Sequence, residues 1–139
     1  MKQVFVEIRI ETKGKGLYEI TRKVCEALAE SKLQDGLCTL QIRHTSASLT
    51  IQENADPDVR RDLEAFMARL VPDGDRLFIH IAEGPDDMPA HVRSALTCVN
   101  LSVPFQRGRL GLGTWQGIYV WEHRIDPHRR TINLHLIGE

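Results

Sequence analysis

The segment from His44 to Ser48 combines an imidazole with three hydroxyl groups at the predicted end of a strand. His44 continues the apolar face set by alternate residues of 38–42, so its side chain points where a core residue would. Thr45, Ser46 and Ser48 place hydroxyls beside turn amides, a combination that can hold a phosphate or carboxylate oxygen. The alternative is a hydrogen-bonded core histidine followed by an ordinary turn, and the sequence leaves both interpretations open.

Two carboxylates fall in phase with apolar residues of predicted strands. Glu53 ends the apolar face of 49–53, and Glu122 lies on an apolar face of 115–124. A carboxylate that points inward is costly unless it is paired, hydrogen-bonded or bound to a cation. Both are therefore candidate catalytic groups.

Three neighbours of these carboxylates are candidate substrate contacts. Asn54 is either a turn residue or a contact, and Gln116 shares the face of Glu122. Trp115 could stack on a heteroaromatic ring, although a single tryptophan is more often a core residue.

His80 and His91 flank an acidic loop, 83–87. Imidazole and carboxylate groups are the usual zinc ligands, and carboxylates alone suit magnesium. No HExxH or CxxC spacing occurs, so the spacing alone does not identify a metal site. The loop is otherwise a solvated turn that precedes a helix.

The hydrophobic periodicity predicts a single α+β domain over residues 1–139, with mostly antiparallel or mixed strands and about three helices. Three helices are predicted. The first covers 17–28, the second follows Asp56 as N-cap and Pro57 at the first helical position, and the third covers 88–98. Predicted strands cover 4–10, 38–44, 49–53, 77–81, 101–103, 110–112, 115–124 and 131–137. We expect the last two strands to form a hairpin around Asp126 and Pro127.

The strand 115–124 is apolar on both faces, with Tyr119 and Trp121 on one and Ile118 and Val120 on the other. Such a strand is either central and covered on both sides or part of a subunit contact. We favour oligomerisation here, because so short a chain has little left to cover a second face.

Composition excludes several classes of protein. The 139 residues are 42% hydrophobic and carry 18 basic against 19 acidic residues, a net charge of -1. This balance argues against a nucleic-acid or membrane-surface partner. No signal peptide or membrane-spanning stretch is apparent, and three scattered cysteines fit buried, reduced thiols. We therefore expect a cytoplasmic protein.

Four separated motifs resemble, in order, those of the secondary thiamine-phosphate synthase (YjbQ-like) family. They are HTSASLT at 44–50, ENADP at 53–57, EGPDDMPAH at 83–91, and GTWQGI at 113–118 followed by EHR at 122–124. The resemblance covers most of the chain.

The resemblance implies a compact α+β fold, a homotrimer with the site near subunit junctions, and a weak transferase activity. That activity joins hydroxymethylpyrimidine diphosphate to thiazole phosphate and releases diphosphate. The family's polar positions fall on His44, Thr45, Ser46, Glu53, Asn54, His80, His91, Trp115, Gln116 and Glu122.

Three hypotheses follow. The first is this transferase, with His44, His91 and Glu122 binding a divalent metal, Mg²⁺ or Zn²⁺, or phosphate. The second is a zinc hydrolase of small, possibly phosphorylated substrates, with His44, His80 and His91 as ligands and Glu53 or Glu122 as base. The third is a non-enzymatic module that binds a small ligand or a metal.

Overall fold

The computed structural model describes residues 1–139 and contains eight strands and three helices. The strands are β1 (Lys2–Thr12), β2 (Gly16–Glu19), β3 (Gly36–Ile42), β4 (Ala47–Glu53), β5 (Asn100–Gln106), β6 (Arg109–Leu110), β7 (Gln116–Glu122) and β8 (His128–Gly138). The helices are α1 (Thr21–Ser31), α2 (Pro57–Leu70) and α3 (Asp87–Leu96). The α+β prediction is confirmed.

The strands form two antiparallel sheets. One has the order β1-β8-β3-β5-β6, and the other has the order β2-β7-β4. Alternate residues of both sheets point into one core, which joins Leu40 and Leu134 of the larger sheet to Leu49 and Val120 of the smaller one. Val24 and other residues on the apolar face of α1 complete this core.

Helix α2 covers the opposite face of β7. Trp121 packs with Met67 and Val71 in a second apolar cluster, and its indole N–H donates to Glu64 at 2.8 Å. β7 is therefore a central strand covered on both sides within one chain. The argument for oligomerisation from its two apolar faces was wrong, and the homotrimer remains a prediction from the resemblance.

Helix α2 begins where the local signals predict. The Asp56 side chain accepts a hydrogen bond from the Asp58 amide at 2.9 Å, and Pro57 occupies the first turn. The predicted N-cap is confirmed. Helix α3 also lies within two residues of its predicted bounds. No helix in the structure has the length and apolar character needed to cross a membrane.

Two segments have a different secondary structure from the one predicted. Leu17 lies in β2, which pairs with β7, so the first helix begins only at Thr21. The predicted strand 77–81 is irregular, because no other strand pairs with it. Its apolar side chains Leu77, Ile79 and Ile81 are instead exposed.

The predicted hairpin was also wrong, and the predicted burial of the free cysteines holds only in part. β7 and β8 do not form a hairpin around Asp126 and Pro127, because β7 lies in the smaller sheet and β8 lies between β1 and β3. Of the three free cysteines only Cys38 is buried, whereas Cys25 and Cys98 are exposed.

Candidate metal centre

Three potential metal ligands converge at the N-terminal end of α3. Asp87 and His91 are four residues apart on this helix and so share one face. His80 reaches the same place from the irregular segment before the helix. One oxygen of Asp87, Oδ2, lies 2.7 Å from His80 Nε2 and 3.1 Å from His91 Nε2. All three ligand atoms lie within 4.8 Å of one another.

The Asp87 carboxylate is held in place from its other side. Its Oδ1 accepts a hydrogen bond from Arg124 Nη1 at 2.7 Å, and the side chain is only 2% exposed. Burial alone would raise the pKa of the Asp87 carboxyl, but hydrogen bonding with His80 and the nearby positive charges hold it below its usual value. Asp87 therefore presents an ionised, fixed oxygen to the two imidazoles.

The hydrogen bonding of His91 determines which ring nitrogen is free. His91 Nδ1 lies 2.9 Å from the Thr45 carbonyl oxygen, which can only accept, so Nδ1 carries a proton. In the neutral ring Nε2 then directs a lone pair at the Asp87 oxygen. This repulsive contact is relieved when a proton or a cation lies between the two atoms. A backbone carbonyl bonded to the distal ring N–H is also the usual arrangement of a metal-ligating histidine.

Arg124 fixes the acidic loop against the end of β7. Its Nε donates to Asp86 at 2.9 Å and its Nη2 donates to the Glu83 carbonyl at 3.0 Å. The Ile125 amide also donates to Asp86, at 2.9 Å. The loop that carries Asp87 is thus held by charge-assisted bonds before the helix begins.

His44 lies near this centre but not in it. Its Nε2 accepts the Thr131 amide proton at 2.8 Å, so that nitrogen is unavailable to a metal. Burial, followed by the positive charge of Arg130, lowers the pKa of His44. The link to the centre is indirect, through the Thr45 carbonyl that His91 contacts.

Glu122 is fully buried and completely engaged in hydrogen bonds. It pairs with Arg130, accepts from the Thr12 hydroxyl, and accepts from the backbone amides of His123 and Arg124. Burial alone would raise the pKa of Glu122, but the bonds from Arg130 and Thr12 and the charge of Arg130 lower it. The buried carboxylate that the sequence indicated is thus stabilised by an ion pair rather than by a metal.

Thr45 and Ser46 lie just before β4, at the Glu122 end, and the other four candidates lie at the opposite end of the smaller sheet. Ala47 pairs with Glu122 at one end, and Glu53 pairs with Gln116 at the other, about 20 Å away at ~3.3 Å per residue. There the carboxylate of Glu53 accepts the Asp56 amide proton at 2.9 Å.

The last three candidates at this end have little contact with any buried site. Gln116 accepts the Gly113 amide proton at 2.8 Å, and Asn54 donates to Glu19 at 3.3 Å. Trp115 is 62% exposed. Within one chain these residues do not meet His80 or His91.

Sequence reasoning did not single out Asp87 in the centre, Arg124 that holds it, or Arg130 that pairs with Glu122. The spacing of four between Asp87 and His91 at a predicted helix start was available as a signal. No local signal indicates Arg124 and Arg130, because their partners lie 37 and 8 residues away.

The family model described as UPF0047 protein YjbQ-like matches residues 6–139. The chain belongs to this family. It is 54% identical to a UPF0047 protein of Synechocystis over 94% of this chain and 88% of that protein. It is 42% identical to UPF0047 protein YjbQ of Escherichia coli O157:H7 over 95% of this chain and 96% of that protein.

Solved structures agree with this assignment. A YjbQ/UPF0047-family protein of Clostridium acetobutylicum superimposes with a TM-score of 0.87 at 33% identity, covering 95% of this chain and 99% of the other. A YjbQ-like protein of Sulfolobus solfataricus has a TM-score of 0.89 at 22% identity, covering 99% of both chains, and shows the shared fold.

Proposed function

We propose that this protein is a metal-dependent hydrolase of small substrates, whose divalent cation is held by His80, Asp87 and His91. The observation that carries the proposal is the convergence of two imidazole nitrogens on one buried carboxylate oxygen, within 4.8 Å. The fixed tautomer of His91 supports it independently, because it leaves Nε2 free for a cation.

The donor set favours zinc over magnesium. Two imidazoles and one carboxylate form a ligand set typical of catalytic zinc, which keeps one position open, whereas magnesium prefers oxygen ligands. Compared with the hydrolase hypothesis from the sequence, Asp87 takes the ligand position that His44 had. Zinc, when bound in such a site, lowers the pKa of a coordinated water to about 7.

Glu83 is the best-placed general base among the carboxylates. Its Oε2 lies 3.9 Å from His80 Nε2, and the side chain is exposed and therefore accessible to substrate and water. Glu122 is excluded because all its accepting positions are occupied in the interior, and Glu53 lies at the far end of β4.

The thiamine-phosphate-type transfer is the second candidate. The observation that favours it is a cleft of about 400 Å³ beside His80, lined in part by Phe78, Ile81 and Met88. Such a cleft has room for an apolar ring. Trp115, which the resemblance suggested as a stacking group, does not line it.

Metal binding is the first test. Zinc should bind metal-free protein with a stoichiometry near one per chain, by calorimetry and elemental analysis. We expect His91→Ala to lower zinc affinity by more than about 10-fold, since loss of an outer-sphere partner alone costs that much. His135→Ala is the matched control, because His135 contacts Gln3 on the larger sheet, away from the centre. Equal losses in the two variants would contradict the assignment.

Turnover separates the three hypotheses. Zinc-loaded protein should hydrolyse p-nitrophenyl phosphate or its diester, and Glu83→Gln should slow hydrolysis while leaving zinc bound. Formation of thiamine phosphate from hydroxymethylpyrimidine diphosphate and thiazole phosphate, without hydrolysis, would favour transfer instead. Zinc binding with neither reaction would leave a metal-binding module.

A further inference from the structure

A second cleft, of about 460 Å³, lies where β3 ends and β4 begins. We call it the Arg43 cleft, and its polar lining consists of Gln41, Arg43, His44, Thr45, Ser46 and Arg130. We infer that the Arg43 cleft binds the phosphate group of a phosphorylated substrate. This inference rests on the proposed function, since it names the substrate class of the neighbouring metal centre.

Arg130 supplies a fixed guanidinium to the cleft. The residue is only 3% exposed, and its Nε and Nη2 donate to Glu122 and Ser46. All its hydrogen bonds are made by Nε and Nη2, so the Nη1 end of a rigid, planar donor group remains for a ligand. Because Glu122 fixes the guanidinium plane, the donor is preorganised rather than mobile.

His44 adds a second N–H donor. Since its Nε2 accepts the Thr131 amide proton, the ring proton must lie on Nδ1. The Thr45 hydroxyl is exposed at the same place, and the amides of Thr45 and Ser46 donate to no acceptor in the protein. The Arg43 cleft is therefore rich in donors, which suits a tetrahedral oxyanion.

The formal charge of the cleft is largely offset. Arg130 pairs with Glu122, and Arg43 pairs with Glu7 at 3.1 Å. Hydrogen bonds alone should therefore bind an anion weakly, and a nearby cation should strengthen the binding.

Thr45 provides the connection between the two sites. It lines the Arg43 cleft, and its carbonyl oxygen contacts His91 Nδ1 at 2.9 Å. A phosphate group in the cleft would thus be linked through Thr45 to His91, one of the three cation ligands. A substrate that spans both sites is a phosphate ester or a diphosphate, with its negative charge shared between the cation and the cleft donors.

Calorimetry with inorganic phosphate tests the inference on both metal-free and zinc-loaded protein. We expect wild-type protein to bind phosphate, and zinc to tighten the binding. The double variant Arg43→Met/Thr45→Val should bind phosphate about 10-fold more weakly, while its zinc affinity is unchanged. His91→Ala should lose the effect of zinc but retain the binding seen in metal-free protein.

Arg129→Met is the matched control. Arg129 is exposed and pairs with a β1 glutamate, Glu11, at 3.1 Å, as Arg43 does, but it does not line the cleft. An equal loss in Arg129→Met, or acetate binding as tight as phosphate, would overturn the inference. Absence of phosphate binding in a protein that binds zinc would also refute it while leaving the metal centre intact. Phosphate binding in a protein that does not bind zinc would refute the metal centre and leave the phosphate site intact.

Discussion

Both ends of the smaller sheet carry polar residues, but these residues have very different surroundings. At the Glu122 end, where Ala47 and Glu122 pair, the polar groups are buried and bonded to charged partners. At the Gln116 end, where Glu53 and Gln116 pair, they are half-buried or exposed and bond mainly to turn amides. The two ends belong to the same strands and the same alternation.

The difference comes from what lies beyond each strand end. Helix α3, its preceding loop and β8 bring Asp87 and Arg130 over the Glu122 end. The N-terminus of α2, the end of β2 and a turn lie at the Gln116 end, and Trp115 stays exposed there. Inward phase along a strand therefore indicates that a polar group is buried, but not which other groups it meets.

The largest difference between the two ends is expected in the free energy of unfolding that is lost when the glutamate at each end is replaced. Glu122→Ala leaves Arg130 buried and unpaired, and it should lower the free energy of unfolding by about 3–5 kcal/mol. Glu53→Ala removes one hydrogen bond to a backbone amide and should cost about 1 kcal/mol. Urea denaturation of the two variants measures both values. Similar losses would show that the contrast in burial has no energetic consequence.

Acid should destabilise the Glu122 end through His123. Burial, aided by the charge of Arg93, lowers the pKa of His123 from 6.5 to about 3. The unfolded chain therefore takes up a proton below pH 6.5 that the folded protein refuses. Stability should fall as the pH drops from 6.5 toward 3, by at most about 1.4 kcal/mol per pH unit.

The source of this slope can be isolated with variants. The other charged groups acting on His123 are Glu122, Arg130 and Lys15. The lowered pKa of Glu122 causes a further loss of stability, but only below about pH 4.5. Between pH 6.5 and 4.5, metal-free His123→Gln should show a shallower curve than wild type, and His128→Gln should not. Parallel curves for His123→Gln and wild type would rule out His123 as the source.

Substitutions at the two ends should have different effects on zinc affinity. His80→Ala should weaken zinc more than about 10-fold, because it removes one of the three ligands. Trp115→Ala, at the Gln116 end, should leave zinc affinity unchanged, because the indole is exposed and contacts none of the three. Competition with a chromogenic chelator gives both affinities. A loss of zinc in Trp115→Ala would mean that the two ends share one site.

The smallest effect is expected from the helix cap at the Gln116 end. Asp56→Ala removes the bond to the Asp58 amide and should lower stability by about 1 kcal/mol, measured by urea denaturation. Zinc affinity should not change, because α2 carries no ligand of the centre. Any effect on zinc would contradict the separation of the two ends.

The local signals for α2 and α3 predicted the structure correctly, whereas the strand at 77–81 and the hairpin, which both need a partner strand, were wrong. The Asp56 cap and the bounds of α3 depend on residues a few positions apart, so the sequence carries them. The hairpin at Asp126 was wrong because a turn residue does not specify which strands it joins. In the same way, the structure brings the candidates His80 and His91 together, and Asp87 rather than His44 completes the cluster.

The sequence by itself determined the alternation along the paired strands, the starts of α2 and α3, and the residue types able to bind a cation or an anion. The tertiary structure decided which of these residues meet. Asp87 reaches His80 and Arg124, and Arg130 reaches Glu122, only when the loop before α3 and strand β8 pack over one sheet end. Periodicity fixes the direction of a side chain relative to its own strand, whereas its partners depend on how separate elements pack.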